Sequence, residues 1–221
     1  MEKVELNRIY NIDCLEGMRQ IEGTNNLLII TDPPYGIGES KGKNKTRNQL
    51  TQPTDYGCLD WDDFIPSKEY FVKMRAISDN QIIFGGNYFA EFLPPSSCWI
   101  VWDKDNSGDF ADAELAWTSF DTAVRIFKYR WNGMLQEDMA HKEVRVHPTQ
   151  KPVKLFEWII RNYAKEGDVI CDPFFGSGSC LVAAVRLGYQ FIGFEKEKTY
   201  FDAAQTRIKK AQEQGKISEW F

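Results

Sequence analysis

Six residues, Asn26 to Thr31 (NLLIIT), form a short, continuous, apolar-rich run with no in–out alternation. A strand with one face in water alternates polar and apolar residues, so this run reads as a strand covered on both faces. Such a strand needs a sheet held between layers of helices, and the rest of the chain supplies them. Further strands are expected at Ile9 to Ile12, Gln81 to Phe84, Cys98 to Trp102, Val169 to Cys171 and Phe191 to Phe194. Helical spacing runs through Ser67 to Ser78, Pro152 to Ala164, Ser179 to Leu187 and Lys198 to Gln214, the last two stopped by Gly188 and Gly215. Pro152 suits a first helical turn, where no amide hydrogen is needed. Ala113 to Phe120 and Thr122 to Tyr129, separated by little more than Asp121, suggest a β-hairpin. The alternation implies a three-layer α/β fold around a mainly parallel sheet.

A chain of 221 residues, 43% hydrophobic, can bury a core and suits a single domain over 1–221. Two polar interruptions, 36–63 and 103–111, read as loops reaching away from that core. No apolar run is long enough for a membrane helix, and the N-terminus lacks the apolar stretch of a signal peptide. Five cysteines with no C-x-x-C pair look like reduced core thiols, which points to the cytoplasm. His141 and His147 lack the spacing and the Cys partners of a zinc site, so no metal is expected. The net charge of −5 argues against an extended basic face, but Lys41, Lys43, Lys45 and Arg47 place four positive charges in seven residues. That run could meet phosphates, or it could simply be a solvated loop.

In parallel α/β sheets, ligands bind beyond the carboxyl ends of the strands. One such end reads Asp172-Pro-Phe-Phe-Gly-Ser-Gly-Ser179, where Gly176 and Gly178 permit a tight turn and a close backbone approach. The next strand ends in Glu195, an acid placed to accept from a ribose diol. This unit resembles a nucleoside-cofactor site but lacks the full G-x-G-x-x-G of nicotinamide binders. Its bland alternative is a tight turn plus a surface acid. The strand NLLIIT ends in Asp32-Pro33-Pro34-Tyr35. The two prolines remove two backbone donors and stiffen the chain. A fixed carboxylate, an outward carbonyl at Pro33 and an aromatic ring suit a planar group bearing NH₂. Held by two acceptors, such a nitrogen is pulled toward tetrahedral geometry, and the positive charge that develops on it is stabilised.

Together, DPPY at 32–35, HPTQKP at 147–152 and DPFFGSGS at 172–179 resemble the amino-group DNA methyltransferases. The order of the motifs is the circularly permuted one of the β-type members, which include many phage and restriction-modification enzymes. The resemblance implies a Rossmann-like core, S-adenosylmethionine as cofactor and double-stranded DNA as partner, and some relatives pair as dimers. It places Asp32, Pro33, Pro34 and Tyr35 on a flipped base. Asp172, Phe174, Gly176 and Gly178 fall around the methionine moiety, Glu195 on the ribose, and Thr149 and Lys151 over the methionine end. Asp13 and Cys14 match the position that contacts the cofactor adenine. The aspartate heading DPPY favours adenine N6 over cytosine N4, whose enzymes more often carry serine there. Trp131, in YRWNG, is assigned with the 41–47 run to DNA. A silent protein that binds S-adenosylmethionine or DNA remains the reading from another class. Ser179 stands where the family usually has Thr, and any target-recognition insertion is small or absent.

Overall fold

The computed structural model describes residues 3–37, 65–106, 111–132 and 135–218. In chain order the elements are β1 (Arg8–Tyr10), α1 (Cys14–Arg19), β2 (Leu27–Thr31), α2 (Lys68–Ile77), β3 (Asn80–Phe84), β4 (Trp99–Asp103), β5 (Ala113–Thr118) and β6 (Arg125–Lys128). There follow the short strands β7 (Trp131–Asn132) and β8 (Leu135–Gln136), then α3 (Val153–Tyr163), β9 (Val169–Asp172), α4 (Ser179–Arg186), β10 (Gln190–Phe194) and α5 (Lys198–Ser218). One sheet has the order β1-β10-β9-β2-β3-β5-β4-β6, and β7 pairs with β8 apart from it. In the main sheet β5 alone runs against its neighbours; every other pairing is parallel.

The run that opened the sequence is the centre of this sheet. Every residue of β2 is buried, and successive side chains alternate between two apolar layers. Leu28 and Ile30 pack with Leu155, Phe156 and Ile159 of α3, Leu181 of α4 and Ile208 of α5. Leu27 and Ile29 pack on the other face with Met18 of α1 and with Phe71 and Met74 of α2. Each such fully buried aliphatic side chain contributes about 1.5–3 kcal/mol. α3 follows from the spacing of Val153, Leu155, Phe156, Ile159 and Ile160, with Pro152 immediately before its first turn. No helix among the described residues is long and apolar enough to cross a membrane.

Two expectations are corrected. Residues 113–120 and 122–129 hold strands, but they do not form a hairpin with each other. β5 gives one edge to β3 and the other to β4, so β6 has no edge of β5 to join and pairs with the far side of β4 in parallel. The antiparallel neighbours adjacent in sequence are instead β4 and β5, joined across residues 104–112. Gly215 does not end α5, which continues to Ser218; a glycine costs a helix about 1 kcal/mol without breaking it.

Candidate active site

β2 and β9 lie side by side and parallel, yet the chain leaves them in opposite directions across the sheet, toward β3 and toward β10. The crevice beyond their carboxyl ends is therefore the topological switch point of the sheet. Both motif loops start there. Thr31 Oγ1 donates to Asp172 Oδ1 at 2.8 Å, and the Phe174 amide donates to the same oxygen at 3.2 Å. Asp172 is buried, which pushes its carboxyl up to about 7 against the pull of these hydrogen bonds. It ties the two loops together.

Asp32 is the first residue beyond β2. Tyr35 folds back so that its hydroxyl donates to Asp32 Oδ1 at 2.5 Å. Its ring stacks on Tyr88 with centroids 4.9 Å apart and planes 14° from parallel. Gly85, with φ +68°, passes beneath it: a Cβ there would lie 2.2 Å from Tyr35 Cε1. Asp32 Oδ2 accepts from the Lys151 ammonium, which also donates to the Tyr35 hydroxyl at 3.2 Å. On its far side Lys151 Nζ lies 2.9 Å from Glu114 Oε2, while Lys104 pairs with Oε1 of the same carboxylate. Glu114 Oε2 therefore shares the Lys151 ammonium with Asp32 at close range.

Two carboxylates and two ammonium groups thus form one chain of charges beneath the DPPY loop. Burial raises the Asp32 carboxyl, and the adjacent Lys151 charge opposes that rise. Burial works on Glu114 in the same sense, but Lys151 and Lys104 overcome it and hold that carboxyl at about 2. Glu114 is the fixed anion of the set, and Asp32 is the more readily neutralised one.

The glycine loop faces the other half of the crevice. Gly176 and Gly178 have φ of +47° and +75°, and a Cβ on Gly178 would sit 2.9 Å from Ala204 Cβ of α5. Glu195 accepts the Gly176 amide at 2.9 Å and the Glu197 amide at 2.7 Å, one on each oxygen. Its burial raises the carboxyl to about 7. Asp13 caps α1 through the Leu15 amide at 2.9 Å and accepts from the Tyr70 hydroxyl at 3.0 Å; Cys14 beside it is buried. Phe174 packs near Tyr70, with ring centroids 5.9 Å apart. The His147 ring lies on Tyr200 at 4.1 Å between centroids, and its Nδ1 is 3.1 Å from Thr149 Oγ1. Burial lowers His147 to about 3, so this ring is neutral at ordinary pH.

The structure brings Asp32, Pro33, Pro34 and Tyr35 together with Asp172, Phe174, Gly176 and Gly178, as the sequence implied. The Lys151 ammonium is engaged by Asp32 and Glu114 beside the DPPY loop. Trp131 is a correction. It is 6% exposed, its indole nitrogen donates to the Gln150 carbonyl at 2.8 Å, and Arg145 covers its ring, so it is a core residue and not a DNA contact. Lys41, Lys43, Lys45 and Arg47 lie outside the described residues, as does nearly all of the 36–63 loop. Sequence reasoning missed Glu114, Lys104, Tyr88 and Tyr70. For Glu114 the signal was available: a carboxylate inside the strand AELAWT is costly to bury without a cation.

Comparison with known proteins agrees with this geometry. The profile of a family described as DNA methylase (N6/N4) matches residues 94–206, just over half of the chain. The type II methyltransferase M.HinfI of Haemophilus influenzae is 27% identical over 254 residues, covering 92% of this chain and 68% of that protein. The type II methyltransferase M2.DpnII of Streptococcus pneumoniae is 49% identical over 78 residues, 35% of this chain and 29% of that one. Among solved structures, the M1.HpyAVI–SAM complex superposes with a TM-score of 0.56 at 24% identity, covering 90% of this chain and 98% of that one. The cytosine-N4-specific PvuII DNA methyltransferase gives 0.59 at 16% identity, covering 96% of this chain and 92% of that one. These superpositions show a common fold.

Proposed function

The chain belongs to the N6/N4 DNA methylase family, and on that premise we propose that it transfers a methyl group from S-adenosylmethionine to the N6 amino group of adenine in double-stranded DNA. One observation carries the reading: a carboxylate fixed at the switch point by a tyrosine hydroxyl 2.5 Å away, beside a glycine loop on the neighbouring strand.

The residues present fit the cofactor. Glycines in left-handed conformations open the backbone for close approach, and the remaining lone pairs of the Glu195 carboxylate can accept a ribose diol. Asp13, which would meet the cofactor adenine, and Phe174, which would meet the methionine moiety, both stand beside Tyr70. When bound, S-adenosylmethionine supplies a methyl group activated by its sulfonium. The protein's own work is on the amine. The base leaves the stack at a cost of a few kcal/mol. Asp32 accepts one amino hydrogen and a DPPY carbonyl the other, which draws the lone pair out of conjugation with the ring. As the nitrogen becomes positive, the Asp32 charge stabilises it by preorganised electrostatics.

The aspartate at the head of the motif, rather than serine, supports adenine over cytosine. Incubation with labelled cofactor and unmethylated DNA, followed by identification of the modified nucleoside, tests this reading. N6-methyladenine is the expected product. N4-methylcytosine would replace the target, and an unmodified DNA would reject the activity.

A further inference from the structure

The acceptor that the proposed reaction needs is blocked at rest. Asp32 Oδ1 holds the Tyr35 hydroxyl and Oδ2 holds the Lys151 ammonium. An ammonium left on Asp32 would oppose a nitrogen that is itself becoming positive. Lys151 must give ground, yet its side chain is only 4% exposed. Its head lies among the rings of Phe84 and Tyr35, 4.9 and 5.5 Å away. The other carboxylate in contact with it is Glu114, whose Oε2 lies 2.9 Å off. Lys104 grips the opposite oxygen of Glu114 and fixes it in place.

We infer that Glu114 is a positioning residue that draws the Lys151 ammonium off Asp32 as the target amine docks. The inference rests on the reading of Asp32 as the amine acceptor. In the resting arrangement Lys151 donates to Asp32 and Tyr35 and lies 2.9 Å from Glu114 Oε2, so the ammonium is shared between the two carboxylates. With an amine on Asp32, a small rotation aligns a Lys151 hydrogen on Glu114 Oε2. The ammonium then rests on Glu114, and Asp32 keeps its charge for the substrate. No bond is made or broken in this step. The ammonium moves only between two adjacent carboxylates, so it is never left unpaired in a largely buried position.

Glu114→Gln preserves size and deletes the charge. We expect kcat to fall about tenfold or more with cofactor affinity unchanged, because the lost interaction acts as the amine is engaged. The acid limb of the kcat–pH profile should also move to lower pH. Burial is the larger cause that raises the Asp32 carboxyl and Glu114 adds to it; removing Glu114 takes away that added rise, so Lys151 lowers the carboxyl further against burial alone. The groups facing Asp32 in this profile are Lys151, Tyr35, Glu114 and, across the β2–β9 junction, Asp172; His147, near Lys151, stays neutral. A packing defect lowers kcat without moving the limb downward. Glu114→Asp should recover part of the rate. In a Lys151→Gln background, Glu114→Gln should cost little more, since nothing remains to be drawn away. A folded Glu114→Gln enzyme with the wild-type rate and pH limb overturns the inference, and so does a penalty undiminished by Lys151→Gln. If Glu114→Gln does not fold, Lys104→Gln loosens the same carboxylate, and a wild-type rate there overturns it equally. An active Asp32→Ala enzyme removes the underlying reading instead. An inactive Asp32→Ala enzyme beside an ordinary Glu114→Gln enzyme removes only this step.

Discussion

Asp32 and Glu195 are the two acids on which the chemistry turns, and their surroundings separate their tasks. Asp32→Ala should lower turnover by about 100-fold or more while cofactor binding survives, since the carboxylate works mainly in the transition state. Asp32→Asn keeps the shape and one acceptor but loses the charge, so it should be impaired less than Ala. Single-turnover rates at saturating cofactor check both, and a wild-type rate in either folded variant refutes the mechanism. Glu195→Ala should weaken cofactor binding by roughly 1–3 kcal/mol, read by calorimetry. Glu195 also predicts a pH dependence. Its carboxyl is raised from 4.5 to about 7, and ribose hydroxyls donate best to the charged form. Below pH 7 binding must expel a proton, so affinity should fall as pH falls, by at most about tenfold per unit. Calorimetry between pH 5.5 and 7.5 should show that slope in the wild type and a flatter one in Glu195→Gln. Of these residues, Asp32 and Glu195 were legible because each stands where a buried strand stops. Glu114 was legible as a charge inside AELAWT, but its role was not, because Lys151 comes from a distant part of the chain that only the fold brings to it.

At the level of elements, periodicity located the longer strands and helices, missed the short α1, β7 and β8, and misjudged one pairing. Continuous apolar runs identified β2, β9 and β10, whose two faces both meet helices. The β5–β6 error arose because short spacing signals a hairpin only when the first strand has a free edge, and edge occupancy is a property of the whole sheet. The β3 terminus carries the element-scale prediction. Gly85 turns the chain out of β3 at φ +68° directly under the Tyr35 ring. An alanine there meets a ring that is itself stacked on Tyr88 and hydrogen-bonded to Asp32, so the ring must shift. The left-handed backbone adds about 1–2 kcal/mol of strain. Gly85→Ala should therefore lower the melting temperature by a few degrees and cut kcat about tenfold or more, with cofactor affinity near normal. Equal losses in cofactor affinity and kcat would mean that the damage spreads across the sheet to the glycine loop.

For the whole molecule, the problem is how an acidic chain holds a polyanion. A net charge of −5 repels DNA at long range, so attraction must come from a local concentration of cations near the crevice. The ammonium groups of half-buried Lys104 and buried Lys151 are committed to Glu114 and Asp32 and cannot serve phosphates. The densest basic run, Lys41, Lys43, Lys45 and Arg47, starts six residues after Tyr35 in the sequence. That spacing tethers it within reach of the proposed base site, since six extended residues span at most about 20 Å. We therefore expect these four side chains to supply much of the phosphate contact. Each contact releases condensed counterions, which makes log affinity fall with log salt by about 0.9 per phosphate neutralised. Replacing all four with glutamine should reduce that slope by roughly 3–4 units and weaken binding almost equally for methylatable and unrelated duplexes, because phosphate contacts carry no base information. Turnover on DNA supplied at saturating concentration should be nearly preserved, because Asp32 and the glycine loop are untouched. Titration of binding between about 50 and 200 mM salt reads the slope directly. A quadruple variant with the wild-type slope would show that the run is a solvated loop and that another cationic surface meets the DNA.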